Sequence, residues 1–184
     1  MRLPYPDLAP GGYQALRSLG RYLAHQTALE PVLLEMVYLR ASQLNGCQFC
    51  IGMHSEELRK LGEMEDRIDA LNDWRGSDEF TPRERAALSW AEAVTDVNAS
   101  HVSDDEYAAA KEFFPDKDLV DLTYAIAAIN AWNRLGIAFR AEWLSAGQAS
   151  GRAIAPFNFS EPKPMESEAG PAEARETDEG TANE

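Results

Sequence analysis

Apolar positions along the chain recur at the three- and four-residue intervals of helices, and no alternating strand pattern competes with them. Leu16, Leu19, Leu23 and Ala24 form one stripe and predict a helix from Gly12 to Ala28. Pro31, a favoured first-turn residue, opens a second helix through Leu33, Leu34, Val37 and Tyr38. Asn45-Gly46 stops it, with Gly46 suited to a left-handed cap. A third helix is expected from about Cys47 to Leu61-Gly62, and a short one from Met64 to Leu71. Thr81-Pro82-Arg83-Glu84 has the form of a capping box with proline at the first helical position, and opens a helix to about Val97. Ser103-Asp104-Asp105-Glu106 is a second such box, followed by Tyr107 to Phe114 and a stop at Pro115. The last pattern runs from Leu119 to about Ala146, with a possible break near Gly136. Val120, Leu122, Tyr124, Ala125, Ile126, Ile129 and Trp132 make it apolar all round, which places it centrally or at an interface. The fold class is all-α.

Composition changes this picture at the C-terminus. From Glu161 to Glu184 there are eight acidic residues, two basic ones and a single large apolar residue, Met165. Such a segment cannot offset its ordering entropy by burial. The expected organisation is therefore one helical domain over 1–159 and an acidic, disordered tail over 160–184. The tail carries −6 of the net −14, leaving −8 for the domain. That balance argues against nucleic acid and against an anionic membrane surface, both of which demand Lys/Arg excess. No apolar run approaches the ~20 residues of a membrane span. Met1-Arg2-Leu3-Pro4-Tyr5-Pro6 lacks the apolar stretch of a signal peptide, so a cytoplasmic protein is expected.

The chemistry concentrates in one place. Cys47 and Cys50 are the only cysteines of 184 residues, and His54 follows one helical turn after Cys50. A Cys-x-x-Cys pair in a reducing compartment reads as catalytic or metal-binding more readily than as a structural staple. A zinc site would need ligands beyond the pair, and His25, His54 and His101 are the only histidines. Two buried apolar cysteines are the bland alternative.

The short Asn45-Gly46 stop makes the second and third helices antiparallel neighbours. At ~1.5 Å of rise per residue, Glu35 and His54 lie at about the same height above the turn, with Cys50 roughly halfway up. At ~100° per residue, Cys47, Cys50 and His54 share one face. The spacing thus predicts a Glu35–His54 pair with the thiols just below. A carboxylate orients an imidazole, the imidazole takes a thiol proton, and the start of a helix lowers a cysteine pKa. The cluster reads as a redox or peroxidatic site.

The run Arg40-x-Ser42-Gln43-x-Asn45-Gly46-Cys47-x-x-Cys50-x-x-x-His54 closely resembles the AhpD-like alkylhydroperoxidase core of the carboxymuconolactone decarboxylase superfamily. Thr81-Pro82-Arg83-Glu84-Arg85-Ala86-Ala87-Leu88-x-Trp90-Ala91-Glu92-Ala93 and Asn130-Ala131-Trp132-Asn133-Arg134 look like the same family, and the resemblance covers about Tyr13 to Trp143. It implies an all-helical bundle that assembles as a homo-oligomer, a trimer or hexamer. It also implies reduction of hydroperoxides at the expense of an external thiol or dithiol, without a cofactor. By this resemblance Cys50 is the peroxidatic cysteine, Cys47 the resolving one, and Glu35 and His54 the proton relay. Phe49 is a departure: the best-studied members carry a second histidine there, though many relatives carry an aromatic. Decarboxylases of the superfamily generally lack the cysteine pair. Two other activities use the same residues: thiol–disulfide exchange on a protein, and acid–base catalysis by His54 and Glu35 alone. Arg40 is expected to pair with an acidic group or bridge subunits. Ser42, Gln43 and Asn45 are expected to satisfy helix ends and the turn. Trp90, Trp132, Phe139 and Trp143 are expected in the core or an interface.

Overall fold

The computed structural model describes residues 1–142, so the tail over 160–184, the end of the domain at 159 and Trp143 lie outside the described residues. Among the described residues every regular element is a helix: α1 (Tyr5–Leu8), α2 (Pro10–His25), α3 (Pro31–Asn45), α4 (Gln48–Lys60), α5 (Glu65–Ala70), a 3₁₀ turn (Leu71–Asp73), α6 (Pro82–Thr95), α7 (Val97–Ser100), α8 (Asp104–Lys111) and α9 (Asp116–Ala138).

Both capping boxes form. Thr81 Oγ1 accepts from the Glu84 N–H while Glu84 accepts from the Thr81 N–H, and Ser103 and Glu106 do the same. Pro31 and Pro82 sit in the first turns of α3 and α6, where a missing N–H costs nothing. Gly46 closes α3 in the left-handed region at φ 69°.

Around these caps the apolar stripes set the packing. α3 is buried almost continuously from Leu33 to Leu39 and again at Ala41 and Ser42. It lies between α4, α6 and α9. One apolar cluster joins Leu34, Val37 and Tyr38 to Leu88's neighbours Ala87 and Ala91 on α6 and to Leu122, Ile126, Ile129 and Trp132 on α9. A second joins Met36 and Leu39 to Leu58, Ile68, Leu71, Trp74, Phe80 and Leu88. At roughly 1.5–3 kcal/mol per fully buried large aliphatic side chain, these clusters are the main favourable term. Of the tryptophans expected inside, Trp90 and Trp132 are both buried.

Three differences from the sequence expectation have plain causes. A short helix, α1, precedes α2, and its Tyr5 stacks on Phe139 at 5.4 Å. The Arg2 N–H also donates to the Phe139 carbonyl at 2.6 Å, so the N-terminus is held against the end of α9 by tertiary contacts that no local pattern encodes. The helix expected from Thr81 stops at Thr95, and a separate turn, α7, follows before His101 and Val102 take positive φ values of 54° and 50°. α9 begins earlier than expected, at Asp116, continues unbroken through Gly136, and ends at Ala138 rather than near Ala146, with Arg140 at a positive φ of 51° just beyond.

Candidate functional site

The site is built where α3 hands over to α4. Gly46 reverses the chain, and the Cys47 N–H then donates to the Ser42 carbonyl at 3.1 Å. This fixes Cys47 as the residue that caps α4, with its Sγ accepting from the Cys50 N–H at 3.4 Å. Cys47 and Cys50 form a disulfide, with their Cα atoms 5.3 Å apart. Both are 1% exposed and pack with Phe49, Met53 and Ala141. The thiol pair is therefore roofed by apolar side chains.

Above it lies the second half of the site. Glu35 Oε2 and His54 Nδ1 are 2.7 Å apart, and neither side chain has any exposed surface. The antiparallel arrangement brings them to one level, as their distances from the turn require. Glu35, which a short sequence window would place on a solvated face, is thus deep in the bundle. Burial pushes its carboxyl above the ordinary value, against the opposing pull of His54's charge and hydrogen bond. Its second oxygen, Oε1, has no hydrogen-bond partner among the described residues. Tyr38, one turn along α3, lays its ring 5.2 Å from the imidazole, and burial together with the Glu35 charge holds its phenol well above the usual range. The α3 stripe Glu35, Tyr38, Ser42 thereby faces the α4 stripe Cys47, Cys50, His54.

Two polar networks brace α3 against its other neighbours. Asn133 of α9 is fully buried, donates to Ser42 Oγ at 3.0 Å and accepts from Asn45 Nδ2 at 2.8 Å. Asn45 also donates to Asn130 Oδ1, and Asn130 donates to Thr95 Oγ1 on α6. Ser42 and Asn45 accordingly reach beyond their own helix end to clamp α3 onto α9. Gln43 does stay local, accepting from Arg40 Nη1 at 3.3 Å. The second network centres on Glu92, which accepts from Arg40 Nε at 2.7 Å, from Trp74 Nε1 at 2.8 Å and from Arg75. Arg40 pairs with an acid inside the subunit.

Gly136 is a site neighbour that sequence reasoning missed. It faces the disulfide from α9, so close that an added Cβ would lie 3.1 Å from Cys47 Sγ. The available signal was a glycine inside a long apolar helix, where it costs about 1 kcal/mol relative to alanine and so marks a close approach or a break. Among the described residues no group of three or more His, Cys, Asp and Glu could hold a metal ion, and His101 is exposed at a turn. No helix among them is long and apolar enough to cross a membrane.

Comparison with known proteins agrees with this architecture. Residues 10–93 match the model of the Carboxymuconolactone decarboxylase family. The uncharacterized protein YdfG of Bacillus subtilis is 37% identical over 137 residues, which span 74% of this chain and 92% of YdfG. A solved structure from Agrobacterium tumefaciens, of a protein of unknown function and candidate antioxidant defence protein AhpD, is 36% identical with a TM-score of 0.75, over 78% of this chain and 97% of that one. The alkylhydroperoxidase AhpD core of an uncharacterized peroxidase-related protein from Ralstonia eutropha shares the fold at 22% identity and a TM-score of 0.69, over 76% of this chain and 74% of that one. The chain belongs to the carboxymuconolactone decarboxylase family and has its AhpD-like, all-helical fold, with a Cys-x-x-Cys at the start of the helix that carries His54.

Proposed function

We propose that the protein is a thiol-dependent hydroperoxide reductase working through Cys47 and Cys50. The observation that carries this reading is the fully buried Glu35–His54 pair, which joins α3 to the same helix, α4, that carries the Cys47–Cys50 disulfide at its start. Cys50 is the attacking thiolate, four residues before His54. Glu35 positions the imidazole through Nδ1, and the imidazole exchanges a proton with the thiol, directly or through a water. The Cys50 thiolate displaces alkoxide from the hydroperoxide; the alkoxide takes a proton and leaves as an alcohol, and Cys50 becomes a sulfenic acid. The Cys47 thiol condenses with it, forming the disulfide and releasing water. An external dithiol supplies two electrons and two protons to regenerate both thiols and is itself oxidised to a disulfide.

A pair 1% exposed suits a small peroxide better than a folded protein's disulfide, which sets exchange on a protein second. The cytoplasm, where thiol reductants are abundant, is the compartment that fits such a cycle. A homo-oligomer, trimeric or hexameric, is also proposed; Val120, Tyr124 and Ile137 on α9 are about half exposed and would be covered in it. The test is consumption of an organic hydroperoxide with a dithiol as the sole reductant. Wild type should turn over, and Cys50→Ser should not. Turnover that survives Cys50→Ser would sink the assignment and favour acid–base chemistry by His54 and Glu35.

A further inference from the structure

We propose that residues 139–142 form a strap over the Cys47–Cys50 disulfide, latched by the first residues of the chain, and that release of this latch governs how fast a thiol reductant reaches the sulfurs. The roof over the pair has two kinds of members. Phe49 and Met53 belong to α4, the helix that carries Cys50, so their backbone moves with the sulfur they cover. Ala141 comes from a separate segment beyond the end of α9. Both cysteines are 1% exposed, and thiol–disulfide exchange requires an attacking thiolate to touch one sulfur. The roof must therefore part whenever the disulfide is reduced, and the strap is the piece able to leave without unwinding α4.

Two sets of contacts hold the strap. In the first, the Arg140 N–H donates to the Ile137 carbonyl at 3.2 Å and the Ala141 N–H to the Gly136 carbonyl at 2.9 Å, the paired bonds of a Schellman cap. The left-handed position of that cap, which favours glycine, is filled by Arg140 at φ 51°. The cap that seats Ala141 is thus weaker than a glycine cap and opens more readily. In the second set, the Arg2 N–H donates to the Phe139 carbonyl at 2.6 Å and the Arg2 guanidinium to the Ala138 carbonyl at 3.3 Å, while the Tyr5 ring stacks on Phe139 at 5.4 Å. These contacts grip the first residue of the strap and offset the strain at the second. Residues 1–4 are exposed, so the latch can lift away without opening the core.

The inference concerns regulation of the proposed redox site and rests on that reading, yet its test uses no peroxide. The oxidised full chain is mixed with excess dithiothreitol under native conditions, and the appearance of protein thiols is followed in time. One dithiothreitol thiolate attacks a protein sulfur, breaks the S–S bond and releases the other sulfur as a thiolate. The second dithiothreitol thiolate then closes its ring and releases the first sulfur. Two electrons and two protons pass to the cysteines, and dithiothreitol leaves as its cyclic disulfide. Arg2→Pro has neither donor to give α9, and Tyr5→Ala loses the stacked ring; each should raise the rate about fivefold, the worth of a net hydrogen bond or an aromatic pair. Arg140→Gly keeps the Arg2 and Tyr5 contacts, relieves the strained cap and should slow reduction about fivefold.

Latch variants that reduce at the wild-type rate, or an Arg140→Gly chain that reduces no more slowly, overturn the inference. Glu92→Ala separates strap opening from global unfolding, because it weakens the Arg40 and Trp74 network and touches neither strap nor latch. Its reduction rate should stay near that of wild type. An acceleration matching that of Tyr5→Ala would show that reduction waits on unfolding of the whole bundle, and would also overturn the inference. Wild type that consumes no hydroperoxide while these rates shift as stated would support the latch and count against the proposed function alone.

Discussion

At the scale of single residues the molecule places a carboxylate where water cannot reach it. Glu35 holds its proton more tightly in the folded chain than the ordinary carboxylate value of 4.5 would allow, because burial outweighs the help of His54. Over the interval above that value the folded state binds more proton than the unfolded chain, so this residue's contribution to stability falls as pH rises. Glu35→Gln cannot ionise and lacks that slope. Its stability relative to wild type should therefore improve between about pH 5 and about pH 7, read by urea unfolding at each pH. A difference that stays flat, or moves the other way, would contradict the burial argument. The same variant should lose peroxide turnover by about 10²-fold, since His54 would keep a partner at Nδ1 but lose its charge support. Gly46 makes a different single-residue demand. At φ 69° with open space around it, its requirement is purely conformational, and Gly46→Ala should cost about 1–2 kcal/mol in chemical denaturation while Gly46→Asn costs less.

Elements are held by networks that cross between helices, and these were only half legible from the chain. Boundaries carried by local chemistry were readable: Pro31 and Pro82 at helix starts, Thr81 and Ser103 as caps, Gly46 as a stop. So was the juxtaposition of Glu35 with His54, because a tight turn between antiparallel helices turns sequence distance into height. What was not readable depends on partners far along the chain. Asn45 meets Asn130 and Asn133 across 85 and 88 residues, and only an Asn-x-x-Asn spacing in an otherwise apolar helix hints at it. Gly136 read as a helix break, because a glycine's helix cost is local while its benefit here lies on α4. Asn133→Ala takes one buried partner each from Ser42 and Asn45, which keep Tyr38, Ala41 and Asn130, and should cost about 1–3 kcal/mol by urea unfolding. A loss below about 0.5 kcal/mol would mean the clamp of α3 on α9 is made by apolar packing alone. Glu92→Ala takes the carboxylate from Arg40, whose side chain is 13% exposed, and from Trp74 as well. A cost of about 2 kcal/mol or more is expected, short of a fully buried pair because Arg75 and part of Arg40 reach solvent.

For the whole molecule, a helical bundle encloses the Cys47 and Cys50 sulfurs beneath Phe49, Met53 and Ala141 and keeps the Glu35–His54 pair apart from water. The chain carries a net charge of −14, and part of that charge sits after Ser160. Composition there makes no demand on the bundle, so removing residues 160–184 should leave the melting temperature and hydroperoxide turnover unchanged. A fall in either would show that the segment supports the domain. Family and fold leave the chemistry to the site itself, since one helical scaffold can serve several reactions.

The most direct measurement is a thiol titration of the reduced protein before and after one equivalent of an organic hydroperoxide. Two thiols should disappear per chain and return on treatment with a dithiol, since Cys47 and Cys50 are the only cysteines present. Two thiols that persist through the peroxide treatment would contradict the redox account and move the chemistry to His54 and Glu35.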